Sequence, residues 1–201
     1  LFVIGLWATR RWFRFSRSAY LMMFSFLALH EIGAHYTYSH VPYDQTVHAL
    51  FGFSPDAVMG WQRNQYDRFL HLLYGVLLVL PLSELCREWG GLRRPGAALF
   101  AFSLILASSL LYELIEWGAA VALGDGSTAF LGTQGDPWDA QKDMALATVG
   151  ALASLVIAAL ARRIRWALTG FCIRAVSAPP AGCLHWNSFI HAQWQGEHHD
   201  L

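Results

Sequence analysis

Long apolar stretches alternate with short polar connectors along the whole chain, and that alternation is its main structural signal. Apolar runs cover residues 18–39, 64–85, 96–123 and 137–161, each long enough for the roughly 20 residues that cross about 30 Å of hydrocarbon. Residues 1–8 are also apolar and run straight into Arg10 and Arg11, which reads as the clipped end of a further membrane helix. Between the runs lie Val41-Pro42-Tyr43-Asp44, Gly90-Gly91, Gly124-Asp125-Gly126-Ser127 and residues 132–137, all with turn chemistry. The pattern predicts an all-α polytopic transmembrane helical bundle of four complete spans plus a truncated N-terminal span. This membrane domain occupies residues 1–176.

Composition sharpens the picture. The 201 residues are 55% hydrophobic and only 14% charged, against roughly 25% charged in soluble domains, so the solvent is a lipid bilayer. Fourteen basic residues balance fourteen acidic ones, and no basic surplus points to nucleic acid. Cys86, Cys172 and Cys183 share no paired spacing for a disulfide framework or a thiolate zinc site.

Arginine placement sets orientation, because basic residues of short loops stay cytoplasmic. Arg10, Arg11, Arg14 and Arg17 precede the first full span, Arg87, Arg93 and Arg94 separate the second and third, and Arg162, Arg163 and Arg165 follow the fourth. The alternate connectors carry only Arg63. A bacterial inner-membrane protein with those alternate connectors outside is expected.

Ionisable side chains within spans are costly and mark function by default. Here they are His30, Glu31 and His35; Asp67, Arg68 and His71; Glu113 and Glu116; and Asp139, Lys142 and Asp143. Counted from the outward end of each span, His35, His30, His71, Glu116, Glu113 and Asp143 lie 4 to 10 residues in, or roughly 6–15 Å deep at 1.5 Å per residue. Four helices thus place acids and imidazoles in one outward-facing layer. Glu31 and His35, Asp67 and His71, and Asp139 and Asp143 are spaced i, i+4, and Glu113 and Glu116 i, i+3, so each span offers one polar stripe. Ser109 and Tyr74 extend two of these stripes inward.

Carboxylates and imidazoles on facing helices suit a divalent metal, with zinc, manganese or iron preferred to calcium. The metal-ligand candidates are His30, His35, Asp67, His71, Glu113, Asp139 and Asp143, with Glu31 or Glu116 as general base and Arg68 as a clamp for phosphate. His30-Glu31 followed by His35 is one residue too long for the HExxH zinc-protease pattern. A competing reading makes Arg68 and Lys142 the neutralising partners of these acids, in a salt-bridge network without metal. Asp136 ahead of Pro137 reads as a helix cap. The tryptophans near span ends, Trp117 and Trp138 among them, and Tyr38 read as an aromatic belt; Trp117 and Trp138 also stand where they would wall the site. Residues 47–53 read as an interfacial cover. Residues 177–201, with Pro179-Pro180, His185, His191, His198 and His199, read as a disordered cytoplasmic tail.

Four motif groups, His30-Glu31-Ile32-Gly33-Ala34-His35-Tyr36-Thr37-Tyr38, Arg63-Asn64-Gln65-Tyr66-Asp67-Arg68 with His71 and Gly75, Glu113-Leu114-Ile115-Glu116-Trp117, and Trp138-Asp139-Ala140-Gln141-Lys142-Asp143-Met144, resemble the YjdF-type bacterial inner-membrane proteins. The resemblance covers residues 1 to about 165 and implies the polytopic topology and the same polar motif positions. It supplies no reaction. The expectation is therefore a membrane protein with an outward-facing metal site, performing metal-dependent hydrolysis or transfer on a lipid or lipid-linked substrate. The alternatives are a metal or ion transporter, or metal-handling protein, and a structural subunit held by a buried charge network.

Overall fold

The computed structural model describes residues 13–123 and 134–177. All regular elements among them are helical: α1 (Arg17–His35), α2 (Tyr43–Phe51), α3 (Pro55–Met59), α4 (Tyr66–Glu88), α5 (Arg94–Leu123) and α6 (Asp139–Ser177). The truncated span at residues 1–8 and the tail beyond Ser177 lie outside the described residues.

Three helices are long and apolar enough to cross a membrane: α4, α5 over Arg94–Ala122, and α6 over Asp139–Leu168. The run at 18–39 gives a shorter helix than its apolar pattern predicts. α1 has 19 residues, and Arg17, His30, Glu31 and His35 dilute its apolar character. After His35 the chain reverses through Thr37 and Tyr38, both left-handed at φ 50° and 55°, and the Tyr38 amide bonds back to the Gly33 carbonyl at 2.7 Å. Leu21, Phe24, Leu99, Ile115 and Val156 are among many exposed apolar side chains. Such a surface is a liability in water and the ordinary outer face of a helix in lipid.

The chain divides into two compact units, Leu1–Ile157 and Ala158–Leu201. In the first, α1 and α5 each pack on α4. Val79, Ala101, Ile105, Ala147 and Ala151 form a fully buried cluster from α4, α5 and α6. Small residues let the backbones of α4 and α6 touch. A Cβ on Gly75 would lie 2.0 Å from the Ala147 carbonyl oxygen, and one on Gly150 2.2 Å from that of Leu72. Lipid tails are as apolar as leucine, so close packing of this kind drives helix association in membranes. In the second unit, the described part continues α6 and exposes Arg162, Arg163 and Arg165.

Hydrogen bonds fix both ends of the first unit. At one end, Glu84 on α4 accepts from the amide of Ser16 at 2.5 Å and from its hydroxyl at 2.7 Å, setting a carboxylate at the N-terminus of α1, where the helix dipole favours it. The two residues lie 68 positions apart in the chain. At the other end, the Tyr66 hydroxyl donates to the Leu29 carbonyl at 2.7 Å. Between α1 and α4, α2 and α3 are tied together through Ser54, whose hydroxyl donates to Asp44 at 2.7 Å. The Tyr43 hydroxyl donates to Asp56.

Candidate functional site

The polar motifs converge where α1 and α5 end and α4 and α6 begin. One turn of α4 separates Asp67 from His71, so both face the same way. His71 Nε2 lies 3.8 Å from Asp67 Oδ1 and 3.6 Å from Glu113 Oε1 on α5. Asp143 on α6 closes the group, since Asp67, His71 and Asp143 each offer a ligand atom within 4.8 Å of the others. All four residues are buried, Asp143 at 2% exposure. Glu113 Oε1 and Asp143 Oδ1 make no hydrogen bond. Burial without a partner costs a polar atom about 1–3 kcal/mol, so these oxygens need a compensating interaction.

A cavity of about 250 Å³ opens beside the cluster. α4 lines it with Asp67, His71 and Tyr74, α1 with His30 and α5 with Ser109. Tyr38 also lines it, brought in by the chain reversal. Gly33 makes room for that ring, because a Cβ there would meet Tyr38 Cε1 at 2.6 Å. The Tyr38 hydroxyl reaches His30 Nε2 at 3.3 Å. Tyr112 of α5 lines the same cavity, its ring 6.0 Å from that of His71.

A second layer sits at the helix ends. Asp139 accepts from Arg63 Nη1 at 2.5 Å and from Arg68 Nη2 at 3.3 Å. Asp136 pairs with Arg68 and accepts from Lys142 Nζ at 2.6 Å. Asp136 also accepts from the Trp138 amide at 3.0 Å, the capping contact its sequence position predicts. The Lys142 ammonium and then the Trp138 amide hold the Asp136 carboxyl down at about 2.

The candidate residues therefore divide. Asp67, His71, Glu113 and Asp143 come together, with His30 on the adjoining cavity and Glu116 three residues beyond Glu113 on α5. Asp139 and Arg68 belong instead to the arginine layer. Glu31 and His35 are exposed on α1, with the His35 ring edge-on to Tyr36 at 4.7 Å. Trp117 and Trp138 are 68% and 63% exposed rather than walls of the cavity. Sequence reasoning passes over Tyr112, gives Arg63 a place in a motif and in the orientation but no partner, and assigns Tyr38 to the aromatic belt. A signal for Tyr112 exists: Ser108, Tyr112 and Glu116 repeat at four-residue spacing and share a face of α5.

Fold and site together define a multi-pass integral membrane protein with a buried polar cluster at one end of its bundle. The chain belongs to the family described as "Predicted membrane protein (DUF2238)", whose model matches residues 1–164. It is 37% identical over 155 residues to "Inner membrane protein YjdF" of Escherichia coli (strain K12), over 76% of this chain and 69% of that protein. The family and this relative agree with a multi-pass inner-membrane location. No solved structure matches.

Proposed function

We propose that this inner-membrane protein holds a divalent metal, zinc, manganese or iron, between Asp67, His71, Glu113 and Asp143, and uses it in hydrolysis or transfer on a membrane-borne substrate. One observation carries the reading: the His71 imidazole lies 3.6 and 3.8 Å from two buried carboxylate oxygens. Two ligands about 2.0–2.2 Å from one tetrahedral ion stand about 3.4 Å apart, so small shifts would bring these atoms onto a shared cation. The mixed nitrogen and oxygen donor set suits those ions. Such an ion would supply Lewis acidity and acidify a bound water.

On this reading Glu116 serves as general base in preference to the exposed Glu31, and Arg68 orders the helix ends through Asp136 and Asp139. α1 forms a fourth crossing, and the Arg-poor connectors put the cluster toward the outer face. The ion pairs of the second layer also favour the charge-network reading for that layer. Among the described residues, no lysine or arginine joins the close pairs that His71 makes with Asp67 and Glu113.

Metal content of the full-length, detergent-purified chain, with His185, His191, His198 and His199 replaced by Gln, tests the proposal. Near-stoichiometric metal that disappears in His71→Ala and Asp143→Ala supports it. Equal metal in parent and variants, or none after reconstitution with each ion, overturns it.

A further inference from the structure

We propose that the cavity between α1 and α5 binds an uncharged, single-chain amphiphile, an ester or an alcohol, drawn sideways from the bilayer. The inference rests on reading the neighbouring cluster as a divalent-metal site, which makes that end of the cavity the reacting end.

Charge fixes the class of ligand. Asp67 and His71 line the cavity, and among the described residues no lysine or arginine does. Arg68 is engaged by Asp136 and Asp139. Three carboxylates, Asp67, Glu113 and Asp143, would surround a divalent ion bound there, which would leave no positive surplus to hold a phosphate. The remaining polar groups are the His30 imidazole and five hydroxyls, those of Tyr38, Tyr74, Ser108, Ser109 and Tyr112. The Ser109 hydroxyl is buried without a hydrogen-bond partner. A hydroxyl both donates and accepts, which matches an ester carbonyl or an alcohol.

Shape fixes the rest. Phe26 and Leu70 supply the apolar lining. At about 250 Å³ the cavity falls below the roughly 300–1,000 Å³ of sites that enclose drug-sized ligands. It therefore takes a headgroup and the first methylenes, and the tail stays in lipid. The opening is consistent with this. Ser108, bonded to Tyr74 at 2.5 Å, and Tyr112 are exposed within α5, in the segment long and apolar enough to cross the membrane.

Photolabelling the full-length protein in phosphatidylcholine nanodiscs with a diazirine derivative of dodecanol tests this. Labelling is expected to concentrate on the peptides carrying Phe26, His30 and Ser108 to Tyr112, and to fall about tenfold with excess monododecanoyl glycerol, which corresponds to about 1.4 kcal/mol of binding preference. Dodecyl phosphate and dodecyltrimethylammonium are expected to leave it unchanged. Ser109→Leu, which fills the cavity, and Ser108→Phe, which blocks its exposed rim, should each abolish the site-selective label with metal content unaltered. Label spread evenly over lipid-facing residues, stronger competition by either charged amphiphile, or full labelling of both variants would overturn the proposal. Selective, competed labelling in a protein without metal would refute the metal reading alone.

Discussion

Gly75 and Ala147 meet backbone to backbone: a Cβ on the glycine would sit 2.0 Å from the alanine carbonyl oxygen and 2.6 Å from the Ala151 amide nitrogen. Neither atom belongs to a side chain that can swing away, so an added methyl group must separate α4 from α6. That separation also pulls Asp67 and His71 away from Asp143. Gly75→Ala should destabilise the folded protein by about 1–3 kcal/mol or more, as overpacked cores do. Gly118→Ala is the control, because no atom lies within 4 Å of its added Cβ. Unfolding of both variants in detergent measures the difference, and equal stability would show that the two helices do not cross at Gly75.

Asp143 is nearly inaccessible, and its Oδ1 has no hydrogen-bond partner. If a metal satisfies that oxygen, the wild-type chain gains stability with metal concentration, about 2.7 kcal/mol at one hundred times Kd. Asp143→Asn should lose this metal-dependent gain. In chelator it should be at least as stable as wild type, because it no longer buries a carboxylate. Thermal unfolding with and without added zinc or manganese reads both effects. The same metal-induced shift in wild type and variant would remove Asp143 from the ligand set.

The arginine layer carries a pH signature of its own. Its partners hold Asp136 at about 2, below the ordinary carboxylate value of 3.8. A depressed folded-state pKa contributes stability that is present above the unfolded value and lost as pH falls through the folded one. The difference in unfolding stability between wild type and Asp136→Asn should therefore be constant above about pH 4 and shrink toward pH 2. Denaturant titrations across that range measure it, and a pH-independent difference would mean that Asp136 acts through packing or capping alone.

These three sites also show how far the sequence carries. Apolar runs place the helices well, because a span of about 20 residues has few alternatives in lipid. Four-residue spacing puts Asp67 and His71 on one face correctly. What spacing along one helix cannot give is the partner on the next. Arg68 follows Asp67 directly yet points about 100° around the helix, and there it meets Asp136 and Asp139 instead of the buried acids. Tyr38 is harder still. Its place in the cavity depends on two left-handed residues, Thr37 and Tyr38 itself, neither of which is a residue type that announces such a turn. The aromatic run at Tyr36 and Tyr38 reads as a continuing span, and only the lack of a side chain at Gly33 lets the ring fold back.

That dependence of Tyr38 on Gly33 can be measured as a coupling. A Cβ at Gly33 would approach Tyr38 Cε1 and Cδ1 at 2.6 and 2.7 Å and Tyr66 Cε1 at 3.2 Å, while the Tyr38 backbone is held by its amide bond to the Gly33 carbonyl. The ring must leave its seat, and the hydrogen bond from Tyr38 to His30 goes with it. Tyr38→Phe alone should cost about 0.5–1.5 kcal/mol, the usual net worth of one hydrogen bond. In a Gly33→Ala background the same change should cost nothing more, so the two mutations will not add. Additive losses would mean that the Tyr38 hydroxyl keeps its partners when the ring moves, and that Gly33 does not position His30 through Tyr38.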